Sequence, residues 1–256
     1  MRYLVIGATG KTGVPLVRSL AKRGVAVRAV SRRPSADAAG AVENVRFDWS
    51  DRATWQPALR DVDGMYVVGP YAEPDAAVLV RDLIDAAPQV RRVVLLSILG
   101  VELLPTAIPM ATWEDDVRAA GKEWTILRPN WFQQNFGHGG FTDGLRASGE
   151  LALPADDAAV GFVDTRDIAD VAALALTQDG HAGATYTLTG PEALTHGQAL
   201  EQIGAAAGRE LRYMALPRTG SPRRCAPPAP PSTRSPGSRA CSGSSERAST
   251  ASSPAP

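Results

Sequence analysis

No cysteine occurs in the first 217 residues of this 256-residue chain; Cys225 and Cys241 both lie in the last 39. A disulfide framework is therefore not implied for the body of the protein. With three scattered histidines besides, no metal site is expected. No apolar run approaches the roughly 20 residues that a membrane helix needs. Strand-like sequence begins at residue 3, which leaves no room for a signal peptide. A cytoplasmic protein with no membrane partner is expected. A basic surface is lacking too. The whole chain balances 27 Lys and Arg against 27 Asp and Glu. The last 39 residues hold six Arg and one Glu, so the body carries a net charge of −5, and no nucleic-acid partner is expected.

Those last 39 residues also contain no Leu, Ile, Val, Met, Phe, Tyr or Trp, but ten Ser, eight Pro, six Ala and six Arg. Such a segment cannot bury enough apolar surface to offset the entropy of ordering, so disorder is expected. Two origins are open: a flexible interaction tail, or an out-of-frame product of a GC-rich gene. The abrupt change of composition after Leu216 favours the second. The preceding part suits one α/β domain.

What is present starts at once. Residues 4–13 read Leu-Val-Ile-Gly-Ala-Thr-Gly-Lys-Thr-Gly, an apolar strand running into glycines at three-residue spacing with a helical pattern behind them. Gly7 permits the turn out of the strand. Gly10 lets backbone approach a pyrophosphate, and Gly13 lets the helix pack close to the strand. The helix expected over 12–23 would point its N–H groups and partial positive charge at the anion. A bound dinucleotide follows as the leading expectation. At the end of the second strand, where an NAD-binding chain places Asp or Glu for the ribose 2′-OH, this chain reads Ser31-Arg32-Arg33-Pro34. Nothing there repels a 2′-phosphate, and two guanidiniums can pair with one. NADP(H) is expected over NAD(H).

Strand and helix signals then alternate, predicting an α/β fold: a Rossmann-type doubly wound parallel sheet with a small C-terminal α/β substrate region. Strands are expected at 25–30, 45–48, 64–68, 92–97 and 124–128, and helices at 53–59, 75–87 and 112–120. Residues 137–149, with five glycines, read as a loop. Beyond it, a short strand at 162–164, a helix to 176, a strand at 184–189, a capped helix from Thr195 to about Ala207 and a strand at 211–214 are expected. These elements can form a small cap. The organisation read from the sequence is 1–136 as dinucleotide-binding core, 137–216 as substrate-side region interleaved with it, and 217–256 as tail.

Taken together, GATGKTG at the start, RRP after the second strand, LRPNWFQQNF, VDTRDIADVAALAL and YTLTGPEALT resemble the NmrA-like atypical short-chain dehydrogenases over residues 1–216. The LRPNWFQQNF segment is similar to that of ergot-alkaloid-type reductases. The resemblance implies roles for matched positions. Gly7, Thr9, Gly10, Lys11, Thr12 and Gly13 would hold the pyrophosphate, and Arg32 and Arg33 the 2′-phosphate. Asp48 and Trp49 would lie near the adenine, and Val68, Gly69 and Pro70 along the nicotinamide ribose. Ser97 would sit beside the nicotinamide, with Pro129, Asn130, Trp131 and Phe132 closing over it. Trp131 and Phe132 are either an aromatic substrate-pocket wall or plain core.

One element of the wider family is absent. Short-chain dehydrogenases typically use Tyr-x-x-x-Lys to shuttle a proton. Here Tyr66, Tyr71, Tyr186 and Tyr213 each have another residue four places on, and the position of the lysine retained in related members is Met110. Ser97 and His138 are the remaining catalytic candidates, with Glu114 and Asp115 as weaker donors, more simply read as charges on an exposed helix face. Two functions stay open. One is a reductase moving hydride from NADPH to a small planar electron-poor substrate that needs little acid help, such as a quinone, imine or enone. The other is a non-catalytic NADP(H) sensor that binds a partner protein.

Overall fold

Apolar five-residue runs that are buried on both faces build the centre of the molecule. The structure, a computed structural model, describes residues 1–34, 40–104, 108–137 and 139–217. His138 and the expected disordered tail from 218 onward lie outside the described residues. The chain runs β1 (Arg2–Ile6), α1 (Gly13–Lys22), β2 (Ala26–Ser31), β3 (Val42–Arg46), α2 (Trp55–Leu59), β4 (Gly64–Val68), α3 (Ala76–Asp85), β5 (Arg92–Leu96), α4 (Pro109–Ala119) and β6 (Glu123–Pro129). It continues through α5 (Gly140–Ala147), β7 (Glu150–Leu153), β8 (Val160–Gly161), α6 (Thr165–Thr177), β9 (Ala184–Leu188), β10 (Ala193–Leu194), α7 (His196–Ala207) and β11 (Arg212–Ala215).

Seven parallel strands form one sheet in the order β3-β2-β1-β4-β5-β6-β9. The order reverses beside β1, where open α/β sheets bind ligands at the carboxyl ends of their strands. Helices cover both faces, as a parallel sheet requires. On one side α1 and α6 pack through Leu16, Leu20, Ala169, Ala172 and Ala173 onto Val5, Tyr66 and Val94. On the other, Leu79, Leu83, Trp113 and Val117 meet Leu4, Met65 and Val93. This is the Rossmann-type fold that the alternating pattern predicts.

Helix ends follow local rules. The Asp164 carboxylate accepts the Arg166 N–H at 2.8 Å and starts α6. Thr195 and Gln198 form a reciprocal capping box at the start of α7, which ends at Gly208 with φ +63°.

The structure corrects the sequence reading in the second half. Residues 137–149 are not all loop, because α5 occupies Gly140–Ala147. Leu145 is buried with Leu151 and Leu200, and Phe141 packs against them. That burial outweighs the poor helix propensity of glycine. β9 joins the central sheet beside β6 rather than a cap. β7 and β10, which show no clear strand pattern, form two-stranded sheets with β11 and β8. Met1–Arg218 form one compact unit.

Candidate functional site

The turn between β1 and α1 has little room for side chains. Gly7 adopts φ +73°, a left-handed backbone that favours glycine. A Cβ on Gly13 would lie 2.1 Å from the Gly7 carbonyl oxygen. The Gly10 N–H donates to that same oxygen at 2.8 Å, which closes the loop over the N-terminus of α1. The result is a cradle of backbone N–H groups of the kind that takes an anion.

Three hollows adjoin along the carboxyl ends of the strands. The first, about 340 Å³, lies over β1, β2, β3 and β4 and is lined by Gly7, Thr9, Gly10, Arg32, Asp48, Trp49, Val68, Gly69 and Pro70 among others. The middle one, about 370 Å³, shares Gly7, Gly10, Val68 and Tyr71 with the first and adds Lys11, Thr12, Leu96, Ser97, Ile98 and Phe132. The third, about 310 Å³, shares Ile98 and Phe132 with the middle one and adds Leu99, Pro129, Asn130, Trp131 and Asn135. Most of the sequence candidates thus line three adjoining hollows; Gly13 lines none of them, and His138 lies outside the described residues. Arg33 is exposed and does not line them either.

Individual side chains are fixed in ways the sequence does not disclose. The Asp48 carboxylate accepts from the Ser50 hydroxyl and N–H, which with nearby Arg46 and Arg32 hold it below the usual carboxylate range. Trp49 packs edge-on against Phe47 and Trp55, with centroids 5.1 and 5.9 Å away. A Cβ on Gly69 would lie 2.2 Å from the buried Trp113 ring, so this turn is pressed onto α4. The Thr12 hydroxyl faces the core, 3.0 Å from the Tyr66 hydroxyl that donates to it. What Thr12 offers an anion is therefore its backbone. Lys11 Nζ donates to Asn135 Oδ1 at 2.7 Å, and partial burial lowers the lysine pKa.

Glu114 departs most from expectation. It is not on an exposed face: it is 1% exposed. Its carboxylate accepts from the Ser97 hydroxyl, from Arg128 Nε at 2.9 Å and Nη2 at 2.7 Å, and from Arg118 Nη2 at 2.7 Å. Burial alone would raise its pKa. The hydrogen bonds from Arg128, Ser97 and Arg118 outweigh burial and hold it below the usual carboxylate range. It is ionised at neutral pH and is no proton donor. Asp115 is exposed and pairs with Arg118 at 3.2 Å. Ser97 is buried, and its hydroxyl proton is committed to Glu114, so it is not free to polarise a carbonyl.

Sequence reasoning also missed Tyr71, which lines both the first and middle hollows, and Arg128. Only the Arg in the LRP segment carried a signal, since a charge one residue before a strand-ending proline needs a partner. Trp131 is 40% exposed on the third hollow, stacked on Phe141 at 5.6 Å and edge-on to His196 at 5.3 Å. Phe132 bridges to Val163. Trp131 is thus a wall and Phe132 both wall and packing residue.

A family model described as NAD(P)H-binding matches residues 7–179, which span the glycine cradle, all three hollows and α6. The chain belongs to this NAD(P)H-binding family of atypical short-chain dehydrogenases. The chain is 38% identical over 221 residues to the (4-alkanoyl-5-oxo-2,5-dihydrofuran-3-yl)methyl phosphate reductase of Streptomyces griseus, covering 83% of this chain and 76% of that one. It is 32% identical over 225 residues to the NAD(P)H azoreductase of Xenophilus azovorans, again covering 83% and 76%. The Escherichia coli NADPH-dependent quinone oxidoreductase, solved with NADPH, superposes with TM-score 0.71 at 25% identity over 85% of this chain and 79% of that one.

Proposed function

We propose that this protein is an NADP(H)-dependent reductase acting on a small, planar, electron-poor acceptor of the quinone, imine or enone class. The observation that carries the reading is the run of adjoining hollows. A tight glycine turn leads through the middle hollow, where Lys11 and Tyr71 sit, to a third hollow lined by aliphatic and aromatic side chains and two asparagines, with no ionisable group among its described lining residues. Such a wall suits a flat apolar ring with a few polar atoms.

NADPH, when bound, supplies the hydride. The protein's own part is position and exclusion of water. The backbone at Gly7, Thr9, Gly10, Thr12 and Gly13 and the start of α1 would hold the pyrophosphate, with Lys11 adding charge. Arg32, lining the first hollow, would meet the 2′-phosphate, with Arg33 behind it. Asp48 and Trp49 would border the adenine, and Val68, Gly69 and Pro70 the nicotinamide ribose. Ser97 would lie beside the nicotinamide, with Pro129, Asn130, Trp131 and Phe132 over it. Of the acids the sequence offered, the Tyr-x-x-x-Lys pair is missing, Glu114 is ionised and the Ser97 proton is engaged, while His138 lies outside the described residues. That favours acceptors whose reduced form takes its proton from water. The azoreductase and quinone oxidoreductase among the relatives point the same way.

The test is a titration with NADPH and NADH followed by tryptophan fluorescence, then NADPH consumption with quinones, enones and imines. NADPH binding at least tenfold tighter than NADH, reduced by Arg32→Ala, with turnover of one acceptor class, is the expected result. Tight binding with no turnover of any class would replace this reading with that of a non-catalytic NADP(H) sensor, which the missing Tyr and Lys also allow.

A further inference from the structure

Ser97 follows β5 directly, and its backbone is fixed by an N–H bond to the Leu127 carbonyl at 2.8 Å. Ser97 is among the residues that line the middle hollow. A free serine hydroxyl rotates and can donate or accept as a ligand demands. This one is next to a buried, ionised carboxylate that accepts only. Glu114 is itself immobile, because Arg128 grips both of its oxygens and Arg118 takes one. Arg128 is held from its other side by Glu102 at 3.1 Å, and Arg118 by Asp115. With its proton drawn to Glu114, the Ser97 oxygen has lone pairs left and nothing to donate.

We propose that Glu114 positions the Ser97 hydroxyl as an obligate hydrogen-bond acceptor at the middle hollow, where it would take the carboxamide N–H of the nicotinamide. This reverses the donor role that a serine beside a nicotinamide suggests. It would fix which way the carboxamide points. The inference rests on the NAD(P)H-binding reading above.

The chemistry provides a clean probe. The 3-acetylpyridine analogue of NADPH keeps the carbonyl of the carboxamide but has a methyl group where the NH₂ stands. An acceptor serine loses a hydrogen bond to this analogue, whereas a donor serine does not. Binding of both nucleotides is measured by tryptophan fluorescence quenching, with no turnover required. The wild type is expected to bind NADPH roughly three- to tenfold tighter than the analogue, the equivalent of one neutral hydrogen bond. Ser97→Ala removes that preference. Glu114→Gln removes it as well: the two arginines claim the single remaining carbonyl oxygen, so the amide NH₂ faces Ser97 and turns its proton toward the hollow.

Equal binding of NADPH and the analogue by the wild type overturns the acceptor role, as does a preference that survives Ser97→Ala. A preference unchanged in Glu114→Gln overturns the part given to Glu114. Should that variant not fold, Glu114→Asp keeps the charge for both arginines while withdrawing the oxygen from Ser97 by one methylene, and carries the same comparison. Failure of the wild type to bind either nucleotide counts against the NAD(P)H-binding reading itself, and is thereby distinct from equal binding of the two.

Discussion

Lys11 in the glycine loop and Asn135 in the segment after β6 are 124 residues apart in sequence and 2.7 Å apart in space. The bond joins the anion cradle to the wall of the third hollow, since Asn135 lines that hollow and Lys11 the middle one. On the proposed reading, this partly buried ammonium would turn to the pyrophosphate. A bond to such a charge contributes about 1.5–3 kcal/mol. Lys11→Met should therefore weaken NADPH binding by about tenfold or more. Asn135→Ala should leave NADPH affinity within about twofold and raise the KM for the acceptor. Fluorescence titration and steady-state kinetics on the two variants separate these effects. Equal loss of NADPH affinity in both would mean that Asn135 belongs to the cofactor side.

Gly10 and Gly13 should behave differently although both belong to one motif. A Cβ at Gly13 would sit 2.1 Å from the Gly7 oxygen and 2.8 Å from Ala8 Cα, all backbone. Overpacking against atoms that cannot rotate away costs about 3 kcal/mol or more. Gly13→Ala should lower Tm by about 10 °C. At Gly10 the nearest atom is the Gly7 oxygen at 3.1 Å, a small adjustment. Gly10→Ala should fold with Tm within a few degrees of wild type. It should still lose NADPH affinity at least tenfold, because its methyl occupies the approach of the phosphate. Calorimetry alongside nucleotide titration tests both. Normal NADPH affinity in Gly10→Ala would place the phosphate elsewhere.

The first half of the fold is written in local pattern. Strands buried on both faces, such as Val93–Leu96 within β5, are continuous apolar runs, and the glycine spacing is a backbone requirement that no other residue type meets. The site's backbone half was legible for the same reason. Its side-chain half was not. Glu114 is a charged residue on a helix of weak amphipathicity, and nothing local announces that Arg118 and Arg128 will bury it. Likewise, the glycines of α5 argue for a loop, and the contacts that overrule them come from Leu151 and Leu200. Tertiary burial decides where a polar or poorly helical residue goes, and burial is the quantity that a local reading cannot supply.

Asp164 gives the fold an acid-sensitive point. Its carboxylate takes hydrogen bonds from the Arg166 side chain and N–H and from Gln134, and its pKa is lowered to about 2. The group is ionised in the folded state at a pH where it is protonated in the unfolded chain, whose value is near 3.9. Its stabilisation is therefore complete above about pH 4 and is lost as pH falls through the folded value near 2. That difference amounts to about 2 kcal/mol. Asp164→Asn should lower Tm by about 4–8 °C at pH 7. The gap between variant and wild type should close by about pH 2. A gap that is constant with pH would mean that packing, not charge, is what Asp164 contributes.

His196 also costs stability as pH falls, but because its charged form is disfavoured rather than favoured in the fold. It is 1% exposed, and neither ring nitrogen has a hydrogen-bond partner among the described residues. Trp131, Phe162 and Tyr213 surround it at centroid distances of 5.3, 5.3 and 5.7 Å. Burial disfavours the imidazolium and lowers the pKa from its ordinary value. In the unfolded chain the ring takes a proton near pH 6.5. Below that pH the unfolded state binds a proton that the folded state refuses, so stability falls as pH drops, by up to about 1.4 kcal/mol per pH unit. Two unpaired buried nitrogens cost free energy even at neutral pH. His196→Phe removes both penalties and keeps a ring against Tyr213. It should raise Tm by about 2–4 °C at pH 7.5, the equivalent of about 1 kcal/mol. Its advantage should widen steadily from pH 7 to pH 5. A variant that is less stable than wild type across that range would show that the imidazole is held by a partner, such as a bound water, and that the aromatic wall behind Trp131 depends on it.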